Sequence, residues 1–141
     1  MIRSIVLGLD GAVPYTMFEG ARSGRLPNLA RLMARGAHAA ALPFPAAVTP
    51  GNWASVATGA KPVTHGISDF LLHQPGAPFT DRVNAFDSQV CEAEFMWDAL
   101  SRQGLRCATI SYPGALPRRS TGHIVIGNRG EPSEDCKWWT A

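Results

Sequence analysis

Residues 2–9 form a nearly continuous apolar run that ends in Asp10-Gly11. A run apolar on both faces predicts a strand buried in a parallel sheet, whose C-terminal end delivers a carboxylate to a crevice. Leu26-Pro27-Asn28 then opens a helix, with Leu29, Leu32 and Met33 on its apolar side and Gly36 as its stop. Residues 37–44 read as a returning strand that ends before Pro45. After Thr49, the residues Trp53, Val56, Ala57 and Ala60 recur at helical spacing, and Thr58-Gly59 closes that helix. Residues 66–87 hold glycine, proline and aspartate without sustained periodicity, the pattern of a long surface excursion. Ala93, Met96, Trp97 and Leu100 then share one helical face, and Gly104 ends the helix. Residues 105–112 and 123–126 are two further apolar strands, separated by PGALPRRSTG. This order of strands and helices predicts an α/β layered sheet.

Composition agrees with a globular chain: of 141 residues, 45% are hydrophobic and 17% charged. That length is one domain's worth if the sheet is complete, but the closing EPSEDCKWWTA carries two tryptophans with no following element to cover them, so the chain looks cut off. A truncated sheet would leave an unpaired edge and uncovered apolar faces, and poor solubility is the expectation. The net charge of +2 comes from scattered residues, which excludes an electrostatic footprint for nucleic acid. Arg118-Arg119 is the one adjacent basic pair and reads as a solvated loop. Asp10 interrupts the first apolar run before it reaches signal-peptide or membrane-span length, so no membrane partner is expected. Cys91, Cys107 and Cys136, an odd count without CxxC spacing, read as reduced thiols of a cytoplasmic protein.

The candidate chemistry sits in VTPGNWASVATGAKPVTHGI, residues 48–67. A threonine hydroxyl is a poor nucleophile near neutral pH and needs a base, a metal or a positive dipole. Thr49 stands immediately before a predicted helix, where unpaired N–H groups and the positive dipole end favour an anion. A divalent cation between Asp10 and Thr49 would depress the hydroxyl pKa and draw in a phosphate oxygen. Spacing alone leaves plainer readings open: Thr49 or Asn52 as an N-cap, Asp10 as a turn residue, His65 as a satisfied polar group in a turn.

Four segments, IVLGLDGA, GRLPNLARLMARGA, PFPAAVTPGNWASVATGAKPVTHGISDF and MWDALSRQGLRCATISYPGALP, together resemble the N-terminal part of the alkaline phosphatase superfamily, in its type I phosphodiesterase and nucleotide pyrophosphatase branch. The sharpest motif is Thr49-Pro50 followed by Trp53, Thr58-Gly59, Pro62 and His65-Gly66-Ile67. The resemblance implies a three-layer αβα fold, two bridged divalent metal ions, usually zinc, and a threonine or serine that attacks phosphorus. It matches Asp10 to a metal ligand and Thr49 to the nucleophile, itself a metal ligand. The backbone N–H of Asn52 is the expected oxyanion contact, with capping as its alternative. His65 falls in a structural turn of the pattern and is not carried over as a ligand.

Two departures qualify the resemblance. The nucleotide pyrophosphatases place an asparagine that contacts the phosphoryl oxygen shortly after HGI, and here Phe70 stands there, preceded by Asp69. The remaining ligands of the two-metal site lie in the half of the domain beyond the equivalent of Ala141, and His38, His73, Asp69, Asp81 and Asp87 show no spacing that would replace them. The sequence therefore reads as the N-terminal portion of a metal-dependent hydrolase of phosphodiesters or nucleotide pyrophosphates, inactive alone, with a small phosphoester as substrate and the missing C-terminal half as a partner. Phosphonate hydrolase and phosphate mutase chemistry stay open within the superfamily. Sulfatase chemistry needs a cysteine or serine at the nucleophile position, which Thr49 cannot supply. Outside the superfamily's chemistry, the alternative is a non-catalytic module binding phosphate esters, or a split subunit.

Overall fold

The computed structural model describes residues 4–117 and 119–127. Arg118, Cys136 and the Trp138-Trp139 end lie outside the described residues. The chain separates into two compact units, Met1–Leu42 and Pro43–Ala141.

The N-terminal unit is a helical hairpin preceded by irregular chain. Helix α1 spans Pro14–Arg22 and α2 spans Pro27–Arg35, each with proline in its first turn, where a missing N–H costs nothing. The α2 bounds and the Gly36 stop are those the sequence predicts. Helix α1 has no counterpart in the sequence reading, because Val13 makes no side-chain cap and aromatic residues dilute the helical pattern. Gly20 is needed where the chain turns: a Cβ there would lie 2.8 Å from Leu26 Cδ1, and Leu26 N–H donates to the Gly20 carbonyl at 2.8 Å.

Two sequence expectations fail in this unit and at its boundary. Residues 4–9, expected as a buried parallel strand, take no regular secondary structure, and Ile5 and Leu7 are 80% and 81% exposed. Residues 37–44 also form no strand. An apolar run specifies only that a segment could be buried on both faces. Strand formation also needs neighbours that accept its N–H and C=O groups, and no such ladder forms here among the described residues.

The C-terminal unit holds α3 (Thr49–Thr58), α4 (Pro62–His65), β1 (Leu71–His73), β2 (Arg82–Asn84), a 3₁₀ turn at Ser88–Val90, α5 (Met96–Arg102), β3 (Cys107–Ile110) and β4 (His123–Ile126). Gly59 ends α3 and Gly66 ends α4 in the left-handed conformation, at φ +69° and +78°, which glycine adopts without steric cost. Helix α5 starts three residues later than its apolar face predicts but stops at Gly104 as expected. Residues 66–87 are not wholly irregular: β1 and β2 pair antiparallel with Leu72 opposite Val83. Three-residue strands are too short for a period of two to show in the sequence.

Strands β3 and β4 pair in parallel, Cys107 opposite His123 through Ile110 opposite Ile126. One face of this ladder turns Thr109 and His123 inward, while Ile110 and Ile124 on the other are exposed. The core gathers Ala54, Ala57, Ile67, Ala85, Cys91, Phe95, Trp97 and Ala115. Trp97 is its centre, stacked between Phe95 at 4.7 Å and His123 at 5.1 Å, with Tyr112 edge-on at 5.1 Å. Tyr112 then packs edge-on against Trp53 and donates its hydroxyl to the Trp53 carbonyl at 2.9 Å, tying the β3 end to α3. Burial pushes the Tyr112 phenol well above its usual range, so it stays a neutral donor.

The architecture is thus α/β in character, mixing helices with two small sheets among the described residues. No helix among them is long and apolar enough to cross a membrane.

Candidate active site at the mouth of helix α3

Thr49 is the first residue of α3, and Val48 before it, at φ −82° and ψ 144°, is the N-cap. No side chain caps this helix, so Thr49 is not spent as a cap. The Asn52 N–H donates to the Val48 carbonyl at 3.1 Å and makes the first rung of the helical ladder. The N–H groups of Thr49 and Gly51 fall before that rung, and Pro50 has none. The donors open at the helix mouth are therefore those of Thr49 and Gly51, and the Asn52 N–H is committed within the helix.

Asn52 instead secures the incoming loop. Its Oδ1 accepts from the Phe44 N–H at 3.2 Å and its Nδ2 donates to the Val48 carbonyl at 3.0 Å. The helix lies close against the turn after α4: Pro50, Gly51, Ala54 and Ala57 are buried, and a Cβ on Gly51 would lie 3.0 Å from the Ile67 carbonyl. Small residues on this face allow that approach.

His65 is completely buried and both ring nitrogens are engaged. The Ile67 N–H donates to Nδ1 at 3.0 Å, so Nδ1 is unprotonated and the proton sits on Nε2. Nε2 donates to Ser55 Oγ at 2.9 Å, and Ser55 Oγ donates to the Gly51 carbonyl at 2.9 Å. Burial lowers the His65 pKa, against smaller opposing effects of backbone hydrogen bonds at His65 and Gly51, which suits this neutral state. The 2.9 Å contact with Ser55 is not a serine–histidine catalytic pair, because Nε2 carries a proton and has no lone pair for the hydroxyl. Nor can His65 be a metal ligand without breaking these bonds. Ser55 gave no signal of this role in the sequence, since nothing local links it to His65.

Asp10 lies with Gly11 in a turn ahead of α1, exposed, in the N-terminal unit, whereas Thr49 and Asn52 lie in the C-terminal unit. The other acidic and histidine candidates serve local structure. Asp69 accepts from the Phe70 N–H, Asp87 caps the 3₁₀ turn through the Gln89 N–H, and His73 bonds the Ala77 carbonyl. Among the described residues, no group of three or more His, Cys, Asp or Glu is placed to hold a metal ion. Phe70 packs edge-on against Phe86 at 6.0 Å, so the residue at the expected asparagine position anchors the β1–β2 hairpin.

Arg119, read from the sequence as part of a solvated loop, is a clamp. Its Nη1 donates to the carbonyls of Ser88, Cys91 and Ala93 at 3.4, 3.1 and 3.4 Å. Its guanidinium lies 5.4 Å from the Phe95 ring centroid, and Nε is 3.9 Å from Asp98 Oδ2.

The sequence model of type I phosphodiesterases / nucleotide pyrophosphatases matches residues 4–139. The chain belongs to this family. The match runs through both units and takes in Asp10, Thr49 and Asn52. No curated protein and no solved structure matches the chain. Membership in the phosphodiesterase / pyrophosphatase family puts the chain among hydrolases of phosphoester and phosphoanhydride bonds as a class.

Proposed function

We propose that this chain is the N-terminal portion of a three-layer αβα phosphoester hydrolase acting on phosphodiesters or nucleotide pyrophosphates, with Thr49 as its nucleophile. The observation that carries the reading is the position of Thr49 on the first turn of a ten-residue helix, uncapped, beside two N–H donors outside the helical ladder. A phosphoryl oxygen approaching the α3 mouth meets the N–H groups of Thr49 and Gly51 and the positive end of the dipole. In-line attack by Thr49 Oγ1 forms an O–P bond as the bond to the leaving oxygen breaks, and the hydroxyl proton passes to solvent. The same donors then hold the phosphoryl-threonine while water attacks phosphorus and releases Thr49. Asn52 supports the site by fixing the loop from Phe44 to Val48.

Two divalent ions, zinc by family, belong to this proposal, with Asp10 and Thr49 among their ligands. Zinc takes about four ligands. One carboxylate and one hydroxyl are not such a set, so the described residues do not by themselves fit a two-metal centre, and no step is assigned to the ions. The remaining ligands come from outside the described residues, and residues 1–141 alone are expected to turn over little substrate. That incomplete donor set also favours a second reading, a phosphate-ester-binding module or split subunit, marked by tight binding without turnover. A cytoplasmic location accompanies the proposal.

The test uses a full-length family member carrying this segment, with Zn²⁺ and bis(p-nitrophenyl) phosphate. Thr49→Ala is expected to abolish hydrolysis and the acid-stable phosphoryl-protein, and near-normal turnover would refute the assignment.

A further inference from the structure

The turn after α4 reaches the mouth of α3 through one buried side chain. His65 makes two hydrogen bonds of different consequence. The bond from Ile67 N–H to Nδ1 closes its own turn, and the bond from Nε2 to Ser55 crosses to another helix. Ser55 Oγ passes that constraint one helical turn back, to the Gly51 carbonyl. Gly51 also lies close against that turn, where the Ile67 carbonyl stands 3.0 Å from the position a Cβ would take. One end of the relay is thus the turn 65–67, and the other is Gly51 in the first turn of α3.

We propose that His65 is a positioning residue for Thr49: through Ser55 it fixes the Gly51 peptide, and with it the first turn of α3 from which the Thr49 hydroxyl and the two open N–H groups face a phosphoryl group. The inference rests on the reading of Thr49 given above. The physical demand is strict, because an attacking hydroxyl and its oxyanion donors must be held to within a fraction of an ångström. A helix start with no side-chain cap has little local restraint, and frays unless tertiary contacts hold it. The relay supplies such a restraint, and its histidine is sealed from competing water.

The two arms can be cut separately in the 141-residue chain. In His65→Asn, the side-chain oxygen can still accept from Ile67 N–H, but nothing reaches Ser55. In His65→Gln, the amide nitrogen can still donate to Ser55, but the turn loses its acceptor. Each variant loses one hydrogen bond, so a purely structural role predicts similar losses from both. The measurement is the affinity for inorganic phosphate, read from the backbone amide shifts of Thr49 and Gly51, with thermal melting followed in parallel. Wild type is expected to respond at both amides. His65→Asn and Ser55→Ala should weaken phosphate about tenfold, the effect of one lost hydrogen bond, and His65→Gln should stay within about twofold of wild type. Equal weakening by the two His65 variants, tracking their melting temperatures, would overturn the positioning role and leave the Thr49 reading intact. Absence of any response in wild type would overturn that reading and this inference together. If neither His65 variant folds, Ser55→Ala decides alone, and unchanged affinity overturns the proposal.

Discussion

Arg119 is the residue whose importance the sequence least announces, and its removal gives a quantitative test of the core. Arg119→Met keeps most of the aliphatic stem and deletes the guanidinium. The Cys91 carbonyl then loses its 3.1 Å donor, which costs about 1 kcal/mol at a site where the arginine side chain is 33% exposed. Loss of the Phe95 contact adds about 0.5–1 kcal/mol. The Asp98 contact, at 3.9 Å, adds at most about 1 kcal/mol. The two 3.4 Å bonds add little, since the Ser88 carbonyl also accepts from the Cys91 N–H and the Ala93 carbonyl from the Cys91 thiol. The sum is about 1.5–3 kcal/mol, a large part of the roughly 5–15 kcal/mol that holds a domain folded. Asp98 makes the argument sharper, because its side chain is only 12% exposed and would keep an uncompensated charge. Asp98→Asn should therefore cost less in the Arg119→Met background than in wild type, with a coupling of about 1 kcal/mol. Urea unfolding followed by tryptophan fluorescence measures all four corners of this cycle. If Arg119→Met falls within about 0.5 kcal/mol of wild type and Asp98→Asn costs the same in both backgrounds, the clamp is refuted.

Two further outcomes follow from the same structure. Trp97→Ala removes the centre of the aromatic stack, 2% exposed, and should cost about 3–5 kcal/mol by chemical denaturation; a loss under about 1.5 kcal/mol would mean that the stack does not carry the core. His65 is neutral in the fold with a lowered pKa, so its contribution is fully present above the unfolded imidazole value of about 6.5 and declines as pH falls from there toward the lowered folded value, because the unfolded chain takes the proton first. Unfolding free energies measured across that window should fall toward acid in wild type and fall less steeply in His65→Gln, and identical slopes would contradict the assigned neutral tautomer.

Helices α2 and α3 were legible because their signals are local. Proline in the first turn presets φ, and Gly59 supplies the left-handed stop that ends α3. The β4 bounds and the Gly104 stop were legible for the same reason, a short apolar run in one case and a backbone conformation that suits glycine in the other. Family membership was also carried by the chain's own letters, in the ordered Thr49-Pro50 to His65-Gly66-Ile67 motif.

What the chain could not announce was anything that needs a distant partner. Residues 4–9 have the composition of a buried strand, but pairing depends on neighbours, and none pairs with them among the described residues. Whether Thr49 caps its helix depended on the backbone of Val48, which takes the cap position itself. The Asn52 N–H, open in a sequence reading, proved to be the first rung of the ladder once the helix start was placed. His65 and Ser55 are ten positions apart, and Arg119 lies 28 positions from Cys91, so no local period links either pair. Sequence by itself thus determined where the backbone bends and which helix carries the candidate nucleophile, because φ preferences and apolar spacing act over a few residues. The tertiary structure alone decided which polar groups are committed and which remain open, because buried hydrogen bonds are satisfied by whatever the fold brings within about 3 Å.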